Sequence, residues 1–164
     1  VMASGSPAAF ARARPALDRM AAKVFELGDR PGIGASFKIV NQLLAGVHIA
    51  VASEAMALAA RLGLDLRKVY EVITASAGNS WMFENRMPHV LDGDYTPRSA
   101  VDIFTKDLGI IADMSRDNKF PTPIAGQALQ MFLMTAAAGM GRGDDASVAR
   151  LYAQVAGLEL PVKR

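Results

Sequence analysis

A chain of 164 residues, 51% of them hydrophobic, can bury the core of one ordinary domain, or of one domain joined to a fragment of another. It contains no cysteine, which excludes a disulfide framework, a thiolate metal site and a cysteine nucleophile, and fits a reducing cytoplasm. The 18 basic and 16 acidic residues are interspersed, so the pI of about 9.1 comes without the dense basic run of a nucleic-acid surface.

Alanine, leucine and methionine are strong helix formers, whereas aromatic residues make up only 7%, so the composition predicts a mainly α fold. The first segment departs from that rule. "VMAS" reads as a strand end, and Ser6-Pro7 supplies an N-cap and a first-turn proline for a helix to about Ala21. That helix is arginine-bearing and acid-poor, a superficial likeness to a transit peptide. "KVFEL" reads as a second strand and "GDRPGIG" as a turn-rich connection. A strand–helix–strand this short makes no stable sheet by itself. Residues 1–30 are therefore expected to be the end of an α/β domain whose earlier part lies upstream.

From Ile33 the pattern is helical throughout. "GIGASFKIVNQLLAGVHIAVASEAMALAA" continues to about Leu62, roughly 40 Å of helix. It is apolar almost all round, which predicts the central helix of a bundle over residues 31–164. Asn41, Gln42, His48, Ser53 and Glu54 interrupt it, so the reading is a soluble protein and not a membrane span. Gly63 ends the helix and Asp65 caps "DLRKVYEVITAS". A short helix with a loop then falls in "AGNSWMFENRMPHVLDGDYTP", and a longer one in "SAVDIFTKDLGIIADMSRDNKF". After the "PTP" break come "IAGQALQMFLMTAAAGM" and a closing helix in "GRGDDASVARLYAQVAG".

Lys38, Asn41 and Gln42 are spaced to share one helical face, and Ala45 and Ile49 continue that face as apolar residues. Apolar surroundings penalise an ammonium, which makes a lysine so placed a candidate for proton transfer; an amide one turn on can hold a substrate oxygen beside it. The plainer reading is a lysine that snorkels into water near a helix start. Lys106 and Asp107 read, from periodicity alone, as a solvated charge pair. Trp81 is expected in the core, with a cleft lining as the alternative, and Arg86 near a carboxylate. His48, ~15 Å from Lys38 along the axis, is expected as a hydrogen-bonded interior residue, and His89 at the surface. Two separated histidines without cysteine predict no metal site. "GIGASF" lacks the third glycine of a dinucleotide fingerprint and "GMGRGD" follows no strand, so neither is expected to bind a pyrophosphate.

"GIGASFKIVNQLL" resembles the G-x-G-x-x-x-K-x-x-N-N segment of the β-hydroxyacid dehydrogenase (3-hydroxyisobutyrate dehydrogenase-like) family. "IFTKDLGIIAD" is similar to its second lysine motif and "GRGDDASVARLY" to its closing helix. The opening resembles the last strand–helix–strand of its Rossmann domain, so the likeness covers essentially the whole chain. It implies a helical bundle of the 6-phosphogluconate dehydrogenase C-terminal type, acting in substrate binding and oligomerisation. It also implies Lys38 as the general acid/base, Asn41 and Gln42 as substrate-binding, and Lys106 and Asp107 as cofactor-binding. The family usually has asparagine where Gln42 stands. That departure keeps an amide with one more methylene, and looks more like the four-carbon sugar-acid branch, such as threonate dehydrogenases.

The resemblance further implies NAD as cofactor, with NADP left open, bound mainly by an upstream domain, so that this segment alone does not turn over. It implies a small hydroxy-acid substrate and a homodimer or homotetramer; the dispersed charge and the interrupted apolar helix predict neither nucleic-acid nor membrane binding, and the lack of cysteine fits a cytoplasmic location. 3-Hydroxyisobutyrate and tartronate semialdehyde remain alternative substrates. A helical module used only for self-association is the alternative from another class.

Overall fold

A computed structural model of the chain describes residues 1–163. It divides into two compact units, Val1–Gln42 and a second that begins at Leu43, so the break falls inside one continuous helix.

The first unit opens with β1 (Met2–Ala3), α1 (Pro7–Met20) and β2 (Phe25–Glu26). The two strands pair in parallel, Met2 opposite Phe25 and Ala3 opposite Glu26, as a strand–helix–strand requires. Ser6 starts α1 by accepting from the Ala9 N–H at 3.2 Å. Arg14 on that helix reaches Glu26 beyond it, and Asp18 one turn on at 3.6 Å. The start of α2 (Ile33–Arg61) is held to β1, because the Gly34 N–H donates to Ser4 Oγ at 3.0 Å. A Cβ on Gly34 would stand 2.8 Å from the Met2 carbonyl oxygen, so only glycine permits this approach.

The second unit is helical. After the rest of α2 come α3 (Leu66–Thr74), α4 (Trp81–Asp92), α5 (Val101–Asp117), α6 (Pro123–Thr135) and α7 (Val148–Ala156). The cap expected at Asp65 is in place, accepting from the Arg67 and Lys68 N–H groups; Ser80 likewise caps α4, accepting from the Phe83 N–H. Gly93 closes α4 and Gly157 closes α7, both at φ 61°. α6 runs into a π-helical turn over Ala136–Met140, where Gly139 at φ 84° redirects the chain. The carbonyls of Gly143 and Gly141 then accept from Val101 and Asp102, satisfying the otherwise orphaned first N–H groups of α5 at 3.0 Å each.

Ala52 and Met56 of α2 pack with Phe83, Met87, Val90 and Leu91 of α4 and with Ala146 and Ala149, under a roof of Leu66, Val69, Tyr70 and Ile73 from α3. Gly46 lets α2 approach Phe104 and Leu108 of α5, and Phe104 stacks on Phe132 of α6 with ring centroids 5.0 Å apart. α2 thus touches both halves of this core, as a central helix should. Its opposite stripe, Leu44, Val51, Leu58 and Leu62, stays exposed. By length and composition α2 could also cross a membrane, but half of its most apolar stretch is buried within the protein.

Two expectations are corrected. Trp81 is not a core residue; it is 68% exposed, while Met82 and Phe83 in the same turn of α4 fill the inward face. His89 is not at the surface; three residues after Arg86, it shares the inward face of α4 and is buried.

Candidate functional site

α2 brings Lys38, Asn41 and Gln42 together in the first unit. Lys38 Nζ donates to Gln42 Oε1 at 2.5 Å and Asn41 Nδ2 donates to the same oxygen at 3.0 Å. The three side chains therefore form one hydrogen-bonded group; the spacing of four accounts for the Lys38–Gln42 bond, whereas that between adjacent Asn41 and Gln42 was not expected from it. Lys38 and Asn41 are exposed and Gln42 is half-buried. The apolar enclosure anticipated around Lys38 is absent within this chain: Phe37 and Val40 beside it also face outward. Such a group can present an ammonium and an amide to a small polar ligand at little desolvation cost.

In the second unit Lys106 lies on α5 with its ammonium 2.7 Å from Asp107 Oδ1. The lysine is 66% exposed and the aspartate only 14%, so the carboxylate is fixed by the fold while the cation reaches outward. Ile103 and Ile110, three and four residues to either side of Lys106, are exposed on the same face of α5.

Sequence reasoning missed a second polar cluster, between α4 and the turn before α7. Asp144 and Asp145 are fully buried. Asp145 Oδ1 accepts from Arg86 Nε at 2.7 Å, so the carboxylate beside Arg86 is the protein's own. Asp144 Oδ1 accepts from His89 Nδ1 at 2.8 Å and from the Ala146 N–H at 3.1 Å, while its Oδ2 accepts from the Arg98 N–H at 3.1 Å. Burial pushes the Asp145 carboxyl up to about 6, with the Arg86 guanidinium pulling the other way. The one sequence signal was Arg86 and His89 on a single helical face together with adjacent aspartates far along the chain. Beside the cluster is a cavity of about 1240 Å³ walled by Arg67, Asp92, Asp94, Arg98 and Lys163, with His89 at its side. Lys163 holds Asp94 at 2.9 Å and keeps that carboxyl below its usual range. His48, expected to be interior and hydrogen-bonded, is half-buried and lines an apolar cleft between α2 and α3. Among the described residues no cluster of three or more histidine, aspartate or glutamate side chains could hold a metal.

The chain thus combines a helical bundle that carries a lysine–aspartate pair with a parallel strand–helix–strand and a lysine–amide group on the start of the long helix. The family model described as "NAD-binding of NADP-dependent 3-hydroxyisobutyrate dehydrogenase" matches residues 32–152. The chain belongs to this 3-hydroxyisobutyrate dehydrogenase-like family.

It is 56% identical over 161 residues to L-threonate dehydrogenase of Escherichia coli K12, covering 98% of this chain and 52% of that protein. It is 54% identical over 164 residues to L-threonate dehydrogenase of Pectobacterium atrosepticum, covering 100% and 53%. A crystal structure of 3-hydroxyisobutyrate dehydrogenase from Salmonella typhimurium superposes with a TM-score of 0.88 at 59% identity, covering 92% of this chain and 53% of that one. The chain thus spans about half the length of the relatives it matches.

Proposed function

We propose that this chain is the helical part of an NAD(P)-dependent dehydrogenase that oxidises the hydroxyl of a small four-carbon sugar acid, L-threonate. The observation that carries this reading is the joined group of Lys38, Asn41 and Gln42 on one open face of α2. As the neutral amine, Lys38 takes the hydroxyl proton while the carbon-bound hydrogen leaves as hydride; in reverse the ammonium returns that proton. Asn41 and Gln42 hold the substrate's oxygens beside it. NAD(P), when bound, supplies the hydride acceptor. Lys106 fits a place against that anionic dinucleotide, because its ammonium reaches outward from a carboxylate anchored in the fold. The choice of L-threonate rests on the E. coli and Pectobacterium relatives and on glutamine at position 42. The name of the Salmonella protein favours 3-hydroxyisobutyrate as a second reading.

The enzyme so assembled works in the cytoplasm as a homodimer or homotetramer. The uncharged, exposed stripe of Leu44, Val51, Leu58 and Leu62 supports association through α2, since such stripes on helices are covered by partner helices. Residues 1–30 are the end of a Rossmann domain and 31–164 the substrate and oligomerisation domain.

The test uses the full-length enzyme with L-threonate, 3-hydroxyisobutyrate and either nicotinamide cofactor. Lys38→Ala is expected to lower kcat by about 10²–10⁴-fold, the range for loss of a positioned proton-transfer group. A mutant that keeps its rate sinks the role given to Lys38. Faster turnover of 3-hydroxyisobutyrate than of L-threonate replaces the substrate.

A further inference from the structure

The start of α2 rests on the end of β1. Ser4, half-buried, is held there from both sides: the Leu27 N–H donates to the Ala3 carbonyl at 2.8 Å, and the Gly5 N–H to the Gly28 carbonyl at 3.0 Å. The Ser4 hydroxyl oxygen accepts from the Gly34 N–H at 3.0 Å. That N–H belongs to the first turn of α2, where no partner exists within the helix, and Gly34 is buried while Ala35 and Ser36 are exposed. Without Ser4 Oγ it meets water only if the helix start lifts or turns away from the strand. The approach is also close, since a Cβ on Gly34 would stand 2.8 Å from the Met2 carbonyl oxygen and 3.2 Å from the Ala3 carbonyl carbon.

Helix geometry carries this contact to Lys38. Four residues after Gly34, Lys38 lies on the same face of α2, ~6 Å further along the axis. The face that meets β1 in the first turn thus bears the lysine in the second. Ser4 follows the carboxyl end of β1, and α/β sheets take their ligands beyond the carboxyl ends of their strands.

We propose that Ser4 is a positioning residue for Lys38: by holding the Gly34 N–H it sets the height and rotation of the lysine-bearing face of α2 over that strand end. The role rests on the reading of Lys38 as the proton-transfer group. The setting matters because a reacting group displaced by ~1 Å can lose a hundredfold in rate.

A substitution cycle in the full-length enzyme tests it, with kcat and KM for L-threonate measured for each variant. Ser4→Ala is expected to lower kcat about tenfold, a part of that hundredfold, with KM changed less than about twofold because no substrate contact is lost. Ser4→Thr and Ser4→Val share one shape and differ in the hydroxyl, so they decide the matter even if the alanine variant does not fold. The threonine enzyme is expected to exceed the valine enzyme about tenfold in kcat. In a Lys38→Ala background these differences shrink to less than about twofold, since no lysine remains to be placed.

A wild-type rate for Ser4→Ala, equal rates for the threonine and valine enzymes, or a loss expressed in KM overturns the proposal. So does a loss that persists in full in the Lys38→Ala background, which means that Ser4 serves folding or touches the substrate. Lys38→Ala by itself separates the two failures. If it keeps the wild-type rate, the proton-transfer reading falls and the positioning role falls with it. If it is slow while the cycle is additive, only the positioning role falls.

Discussion

Two polar clusters divide the labour of this chain. Lys38, Asn41 and Gln42 hydrogen-bond within about one helix turn, with Lys38 and Asn41 exposed to competing water. Arg86, His89, Asp144 and Asp145 join α4 to the segment before α7 inside the core, with partners 55 and 59 residues apart. The open cluster costs little to maintain and contributes little to folding. The closed one is expensive to desolvate, so removing any member leaves the remainder unpaired away from water. A charged group free to meet a ligand and a charged group that fixes the fold thus carry opposite signatures in mutation.

The sharpest break between them is expected from Lys38→Ala, which lowers kcat by about 10²–10⁴-fold yet shifts unfolding free energy by no more than about 0.5 kcal/mol, as for ordinary surface substitutions. Asp144→Ala orphans His89 Nδ1 and the Ala146 and Arg98 N–H groups, and is expected to cost about 3–5 kcal/mol. Urea unfolding of both variants checks the contrast; equal losses of stability would erase it.

A smaller effect is expected from pH. The Asp145 carboxyl stands at about 6 in the folded protein against a reference value of 3.8, so between those values the folded form holds more protons than the unfolded. Its contribution to stability therefore declines as pH rises from about 4 to about 6 and is constant above. The difference in unfolding free energy between wild type and Asp145→Asn, followed across that window, should show this slope. A flat difference means that Arg86 keeps the carboxylate ionised throughout.

The smallest expected effect is on the stability of Asn41→Ala. It removes one exposed hydrogen bond and should move unfolding by less than about 0.5 kcal/mol in the same urea titration.

The starts of α1 and α3 and the end of α2 were legible in the sequence, because Ser6, Asp65 and Gly63 act on the backbone within a few residues of themselves. The contact of Lys38 with Gln42 was legible for the same reason, since a separation of four on a helix places two side chains together whatever surrounds them. The environment of that contact was not: Ala45 and Ile49, further along the helix, are buried as apolar residues should be, but Phe37 and Val40 beside the lysine are exposed and leave it open. Trp81 and His89 exchanged the places expected of them because which face of α4 turns inward depends on α2, α3 and the residues before α7. The pairing of Asp144 and Asp145 with α4 likewise exists only once distant segments meet, and charge pairing at such range leaves no periodic trace in the chain. Local chemistry was written in the order of residues. Burial, which sets the energetic worth of every polar group, was decided by the tertiary fold.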